Sequence, residues 1–482
     1  MPTYRMGEKR KGKLPLHVKL SQALGAFPTQ GTDWAFATFL LLFYNQVLGL
    51  PAGLASAALM IAVLVDAITD PAVGSFSDGL VTRIGRRHPL MYGSIVPLAI
   101  ILWALFNPPS GLSDYQLFAW LVGTAVGSRV ALTFFAIPWV ALFPELTEDY
   151  VERSEIFAYR WTIGIVSVAL FGLVTWGLVF RDQGDGPGQL LQSNYAVFGI
   201  VLAVFVAGFA SLSASLTHGQ IRYLRQPTAK TRMSALKVVR DFMMTFRSRS
   251  FLYLFLGLLI SNTITGAVNA LRIYTYTFFW GLEAKDLAYV PLSGVGALFA
   301  LVAIPKLNAH FEKKHILIAG VIANLMDNFI IINLRFLHIL PENGEPALVW
   351  ILVANEALHM FLVVLNATMF YSMVADIIDE EDLETGVRRE GVFSAAIGFS
   401  GKAISGIGVL AAGVILQFVI RIPEQSTVAD LSENTIVRLG LVMGYALPAL
   451  YFIPAWIIHY YRLDRARHSE VIAKLNSRSE GS

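Results

Sequence analysis

Residues 53–76 read GLASAALMIAVLVDAITDPAVGSF, an apolar run holding two acids, and residues 77–88 continue it as SDGLVTRIGRRH. As a helix rising ~1.5 Å per residue, the run is long enough to cross a hydrocarbon core of about 30 Å. Lipid cannot hydrogen-bond a bare peptide group, and the run lacks the alternation of a barrel strand, so a membrane-spanning helix is the consistent reading. Asp66 and Asp70 stand at i and i+4, one turn apart on one face and roughly 6 Å from each other. Asp66 lies about fourteen residues beyond Pro51, close to the bilayer midplane by the same rise. A charge at that depth costs at least ~2.5 kcal/mol, so the pair must face a wet cavity, a cation or a basic partner. Two hard carboxylates at one depth suit Na⁺ or a proton. The plainer alternative is a structural ion pair with a basic residue inside the bundle.

The rest of the chain is built in the same way. Of its 482 residues 55% are hydrophobic and 15% charged, a balance foreign to ordinary soluble proteins. About twelve windows of ~20 residues meet the length needed to span. They lie near 21–47, 53–76, 89–107, 115–143, 156–180 and 194–221, then 250–280, 287–307, 314–336, 347–375, 391–420 and 435–461. An even count puts both ends on one side. Arg83, Arg86, Arg87, the stretch 222–249, Lys313, Lys314, Arg462, Arg465 and Arg467 fall in one set of loops, while alternate loops such as 50–53 and 107–110 carry almost no Lys or Arg. The positive-inside rule then makes both termini cytoplasmic. The expected layout is a tail at 1–20, a six-helix bundle at 21–221, a linker at 222–249, a second bundle at 250–461 and a tail at 462–482. Within the linker, Ser234 to Phe246 reads as an amphipathic helix on the inner leaflet. Two such halves rock about a midplane site.

The chain has no cysteine, which removes disulfides and thiolate metal sites, and its net charge of +3 suits a membrane surface rather than a nucleic acid. The first span is longer than a signal-peptide core and shows no cleavage pattern, so it is expected to stay.

The loop residues Gly74, Asp78, Gly85, Arg86 and Arg87 resemble the signature of the major facilitator superfamily. With Asp66 and Asp70 the chain is similar to the glycoside-pentoside-hexuronide:cation symporters, the melibiose permease family. Gly25-Ala26-Phe27, Ile137-Pro138, Phe143-Pro144 and the stretch from Ala375-Asp376-Ile377-Ile378-Asp379 to Lys402 extend the likeness over most of the chain. The resemblance implies an all-α membrane protein of twelve transmembrane helices in two pseudo-symmetric six-helix bundles, the major facilitator fold, in a bacterial inner membrane. It implies binding of a coupling cation, Na⁺ or H⁺, by Asp66 and Asp70 with Thr133 and Thr69, and no other cofactor. Lys402 stands where the family has an intramembrane lysine and would couple the cation to the solute. Arg160 matches an arginine near the solute, and Asp78, Arg86, Arg87 and Glu390 would form a conformational gate. The partners implied are a small solute and membrane lipid, with the chain acting as a monomer.

The departures bear on the substrate. Where the family holds its sugar with an acid on span one and another on span four, this chain has Gln30 and Ala136, and Thr69 replaces an Asn between the two acids. Pro28-Thr29-Gln30 resembles the related lysophospholipid symporters of animals. The family prior favours a glycoside, whereas Gln30, Ala136 and the apolar run 134–138 suit a lysolipid.

Other buried polar residues need placing. Asp33 lies one turn beyond Gln30 and Arg129 one turn before Thr133; they pair directly or both border the cavity, since neither could sit alone in lipid. Asp327, Glu356 and His359 read as hydrogen-bonded packing residues. Glu356-x-x-His359 and Glu312-x-x-His315 match a di-iron bundle pattern, but their depths differ by most of a half-span, too far to share a metal. The acidic run from Asp376 to Asp382 reads as a gate or a solvated loop, and Trp103, Trp120, Trp280 and Trp456 as interface or packing residues. No nucleophile and base share a depth, which argues against an enzyme, and paired acids do not make the uninterrupted pore of a channel.

Overall fold

The computed structural model describes residues 4–5, 12–147, 149–182, 186–224, 226–227, 249–385, 390–461 and 463–480. The chain is an all-helical membrane protein. Among the described residues ten helices are long and apolar enough to cross a bilayer: Ala52–Asp78, His88–Leu105, Asp114–Leu146, Glu152–Val179, Gln192–His218, Arg249–Phe279, Ala284–His310, Lys313–Phe336, Pro346–Leu383 and Glu433–His459. The windows near 21–47 and 391–420 are helical with interruptions. The first runs through Leu16–Ala23, Ala26–Ala35 and the π-helical turns Phe36–Leu40 and Phe43–Val47, and the second through Glu390–Val414 into π-helical Ile415–Ile420. Further π turns close the helices at Thr175–Val179 and Thr275–Phe279, where the amides of Phe180 and Trp280 reach back five residues to Thr175 and Thr275 at 2.8 and 3.0 Å. Such wide turns cap carbonyls that a regular helix end would leave bare. The strand pairing among the described residues is a two-residue one, Tyr4–Arg5 against Gln226–Pro227. The expected amphipathic helix of the linker lies outside the described residues.

The chain forms two compact units. The first comprises Met1–Met233, Glu283–Pro291 and Val409–Asp430, the second Ser234–Leu282, Leu292–Gly408 and Leu431–Ser482.

In the first unit the acid-bearing helix Ala52–Asp78 buries Ala55, Ala58, Leu59, Ala62, Asp66, Val73 and Ser77. These recur at helical spacing, and the small side chains among them let Asp114–Leu146 approach closely. The other face shows Ile68 at 69% exposure and Phe76 at 54%, as acyl chains require. Periodicity therefore turns Asp66 inward. Pro71 follows Asp70 directly and has no N–H for the Ala67 carbonyl, which loosens the helix at the acid pair. Elsewhere the unit is held by aromatic packing. Phe43 stacks on Tyr195 at 4.3 Å, Phe39 lies 4.9 Å from Phe198, and Phe180 meets Tyr195 edge-on at 4.8 Å. Each such pair adds roughly 0.5–1.5 kcal/mol beyond the area it buries. The buried hydroxyls of Tyr44 and Tyr195 donate to the carbonyls of Leu105 and Gln189, so no desolvation cost is left standing.

The second unit has its own apolar core, with Phe251, Leu254, Met369, Met373, Ile377 and Phe393 at its centre.

Candidate functional site

Thr133 sits on the inner face of Asp114–Leu146, and its hydroxyl donates to Asp66 Oδ1 at 2.8 Å and Asp70 Oδ1 at 3.0 Å. One hydroxyl carries one proton, so it is shared between two carboxylates that must lie within about 6 Å of each other. At ~5 Å and an effective dielectric of ~20 the two charges repel by roughly 3 kcal/mol. That repulsion is removed by a cation between them or a proton on one. Asp66 is buried and Asp70 half-buried. The donor set is two carboxylates and a hydroxyl, all hard oxygens of the kind that suit an alkali cation. The Thr69 hydroxyl donates to the Asp66 backbone carbonyl at 3.1 Å.

On the helical segment Ala26–Ala35, Gln30 and Asp33 are exposed on one face. Polar side chains on that face are unfavourable against acyl chains. Arg129 Nη1 donates to Asp33 Oδ1 at 2.5 Å, and its guanidinium lies 4.6 Å from the Phe36 ring. Of the two arrangements open from sequence, the direct pair is the one observed. Exchanging the two residues, Asp33→Arg with Arg129→Asp, is expected to recover about 1 kcal/mol over the sum of the single changes. Thermal midpoints of the four proteins measure this, and a double mutant no better than either single one would speak against the pair.

Arg160 lies with its guanidinium 4.2 Å over Trp139 and 5.4 Å from Phe143, and among the described residues its Nε has no hydrogen-bond partner. Trp139 is fixed by donating to the Gln22 carbonyl at 2.6 Å while Gln22 donates to the Trp139 carbonyl at 3.2 Å. A methyl group on Gly25 would fall 2.1 Å from the Trp139 indole nitrogen. Glycine is the residue that leaves room for the ring. Ala136 is half-buried one turn before it. Lys402 and Glu390 lie on Glu390–Val414, and their side chains fall outside the described residues, as do Arg388 and Arg389.

The loop after the acidic helix is an ionic cluster. Gly85 takes φ +79°, a left-handed turn that brings Arg86 and Arg87 back under the helices. Arg87 Nη2 meets Asp78 Oδ1 at 2.5 Å, with Arg86 Nη1 at 4.0 Å. Glu145, absent from the expected gate, accepts from both arginines at 2.8 Å, and Arg87 also donates to Ser77 at 2.9 Å. Glu145 lies just past the window 115–143, and nothing local to it names the arginines 58 and 59 residues away as its partners.

A family described as MFS/sugar transport protein matches residues 21–465. The isoprimeverose transporter of Lactiplantibacillus pentosus is 22% identical over 94% of this chain and 90% of its own length. The sodium-dependent lysophosphatidylcholine symporter 1 of Mus musculus is 30% identical over 45% of this chain and 40% of its own. Among solved structures, a D-xylose-proton symporter superposes with a TM-score of 0.58 at 13% identity, covering 93% of this chain and 98% of that one, a likeness of fold.

Proposed function

The chain belongs to the MFS/sugar transport protein family, and we propose that it is a secondary active symporter in which a cation at Asp66 and Asp70 drives transport of a glycoside by alternating access. The observation that carries this reading is one Thr133 hydroxyl within hydrogen-bond reach of both carboxylates. Bringing the two acids together is unfavourable without a cation and favourable with one. Cation binding therefore stabilises whichever conformation closes this triad, and coupling is the difference in affinity between conformations. The solute would lie toward Gln30, the Asp33–Arg129 pair, Ala136 and Arg160, whose open Nε calls for an acceptor such as a sugar hydroxyl. By the family resemblance, Lys402 would take part in coupling the cation to the solute. The Asp78, Arg86, Arg87 cluster, with Glu390, would open and close the cytoplasmic end. In this reading bundles at 21–221 and 250–461 are joined by the linker 222–249, both termini are cytoplasmic, and the chain works as a monomer in a bacterial inner membrane.

The second reading is a cation-coupled lysophospholipid symporter, favoured by Gln30 and Ala136 in place of sugar-binding acids and by the lysophosphatidylcholine relative. A thermal-shift panel of isoprimeverose, melibiose and lysophosphatidylcholine, each with and without Na⁺, separates the two. A ligand at 100 times its Kd stabilises by about 2.7 kcal/mol. The expected result is stabilisation by a sugar that is larger in Na⁺. Stabilisation by lysophosphatidylcholine alone would replace the first reading with the second.

A further inference from the structure

In the second unit the helix Arg249–Phe279 is amphipathic the wrong way round for lipid. Ile264, Leu271 and Ile273 are buried, while Thr265 and Asn269 are exposed and Arg272 and Tyr276 half-buried. These four polar residues follow one another at three- and four-residue spacing, one stripe of one helix. Arg272 lies seven residues before Phe279, about 10 Å from that helix end. A stripe holding an arginine at this depth borders water.

Two other helices face it. From Pro346–Thr385, Glu356 accepts from Arg272 Nη1 and from the Tyr276 hydroxyl, the latter at 2.9 Å. Arg272 Nη2 reaches His359 Nε2 at 3.0 Å and Asn269 Oδ1 at 3.2 Å. From Lys313–Phe336, Asn324 meets His359 Nδ1 at 3.3 Å, and Asn328 supports Asn324. Arg272 has no lone pair, so His359 Nε2 accepts from it. Asn324 places its amide nitrogen against the ring while its amide oxygen accepts from Asn328 at 3.2 Å. Arg272 thus meets a carboxylate, an amide oxygen and an imidazole nitrogen at once.

Packing alone is a poor account of this network. A buried ion pair is no better for stability than apolar residues of the same shape, and here six polar side chains from three helices are committed to one spot. They are also incompletely enclosed: the Arg272 and Glu356 side chains keep 22% and 13% of their surface, and Asn269 is exposed. The chemistry of the open edge is mixed. Guanidinium, phenol and amide nitrogens donate; carboxylate and amide oxygens accept. Arg272 and Glu356 cancel, so an anion gains little, and the exposed polar stripe offers no bed for an acyl chain. Vicinal hydroxyls, each a donor and an acceptor, match it.

We propose that Asn269, Arg272, Tyr276, Asn324, Glu356 and His359 form a recognition site in the second unit for the hydroxyls of a neutral sugar. This rests on the glycoside reading above and assigns it a second set of residues. Because the chain has no cysteine, a single introduced thiol is a unique reporter. Asn269→Cys, made in the full chain and reconstituted in proteoliposomes, should react with the water-soluble reagent 2-sulfonatoethyl methanethiosulfonate. Isoprimeverose or melibiose, whichever stabilises the wild type, should slow that reaction several-fold, while lysophosphatidylcholine should not. In the conservative variants Glu356→Gln and His359→Asn, affinity for the same sugar should fall about 10-fold, the loss of one hydrogen bond to a charged or oriented group, with Na⁺-dependent stabilisation unchanged. A thiol that does not react, or reacts equally fast with and without a sugar that stabilises the wild type, would overturn the site and leave the glycoside reading standing. If no neutral sugar stabilises the wild type, both fall, and lysophosphatidylcholine protection of the thiol would reassign the cluster to a lipid headgroup.

Discussion

Asp66→Asn and Asp70→Asn are each expected to abolish accumulation of solute against its gradient while leaving a folded, inserted protein. Asparagine matches aspartate in shape, and the Thr133 hydroxyl that now reaches both carboxylates at 2.8 and 3.0 Å can donate to an amide oxygen as well. What the change removes is charge. With one carboxylate left, the repulsion of roughly 3 kcal/mol that a cation would relieve is gone, and with it the free energy that links cation binding to one conformation. Coupling energies of this kind run at about 1–3 kcal/mol, a factor of roughly 5–150 in affinity. Uptake into proteoliposomes under an imposed Na⁺ gradient, and separately under a pH gradient, measures it. Accumulation should fall to background in both variants, and solute exchange without a gradient should persist. Thr133→Ala, which keeps both charges but loses the bridge, should give an intermediate defect. Normal accumulation in either aspartate variant would end the cation-site assignment.

That pair was legible from sequence because it needed only local information. Two acids four residues apart in an apolar run must share a face, whatever surrounds them. Span positions were legible for the same reason: the windows 53–76 and 314–336 fall on Ala52–Asp78 and Lys313–Phe336. Interruptions were less so. The window 287–307 begins in a broken stretch in which Ala284–Leu287 and the 3₁₀ turn Val290–Gly294 precede the continuous helix from Val295, and nothing in its hydropathy marks that break. Partners far along the chain were the hardest. Thr133 lies 67 residues from Asp66 and entered by resemblance alone. Glu356 and His359 read as packing residues because Arg272, 84 residues from Glu356, carries no local mark of its role. Periodicity reports which face a residue occupies; it does not report what stands opposite.

Glu145 is the clearest case of that limit, and it supports the second large prediction. Arg86 and Arg87 are buried, with side chains 9% and 5% exposed, and they share two carboxylates. Asp78 is 51% exposed and remains hydrated, whereas Glu145 is 14% exposed and its Oε1 alone accepts from Arg86 Nη2, Arg87 Nε and Arg87 Nη2. Removing the buried partner takes away the one enclosed carboxylate oxygen that accepts from both guanidiniums, and breaking a buried pair costs about 3–5 kcal/mol. Removing an exposed partner costs about 0–1 kcal/mol. Glu145→Ala should therefore lower the thermal midpoint of the purified protein far more than Asp78→Asn. Glu145→Gln, which keeps one acceptor and loses the charge, should fall between them. The ordering is the test, because charge counting alone would rank the two acids equally. If Asp78→Asn proves as damaging as Glu145→Ala, burial is not what makes this cluster hold the loop beneath the helices, and the enclosed carboxylate at the end of Asp114–Leu146 has no special place in it.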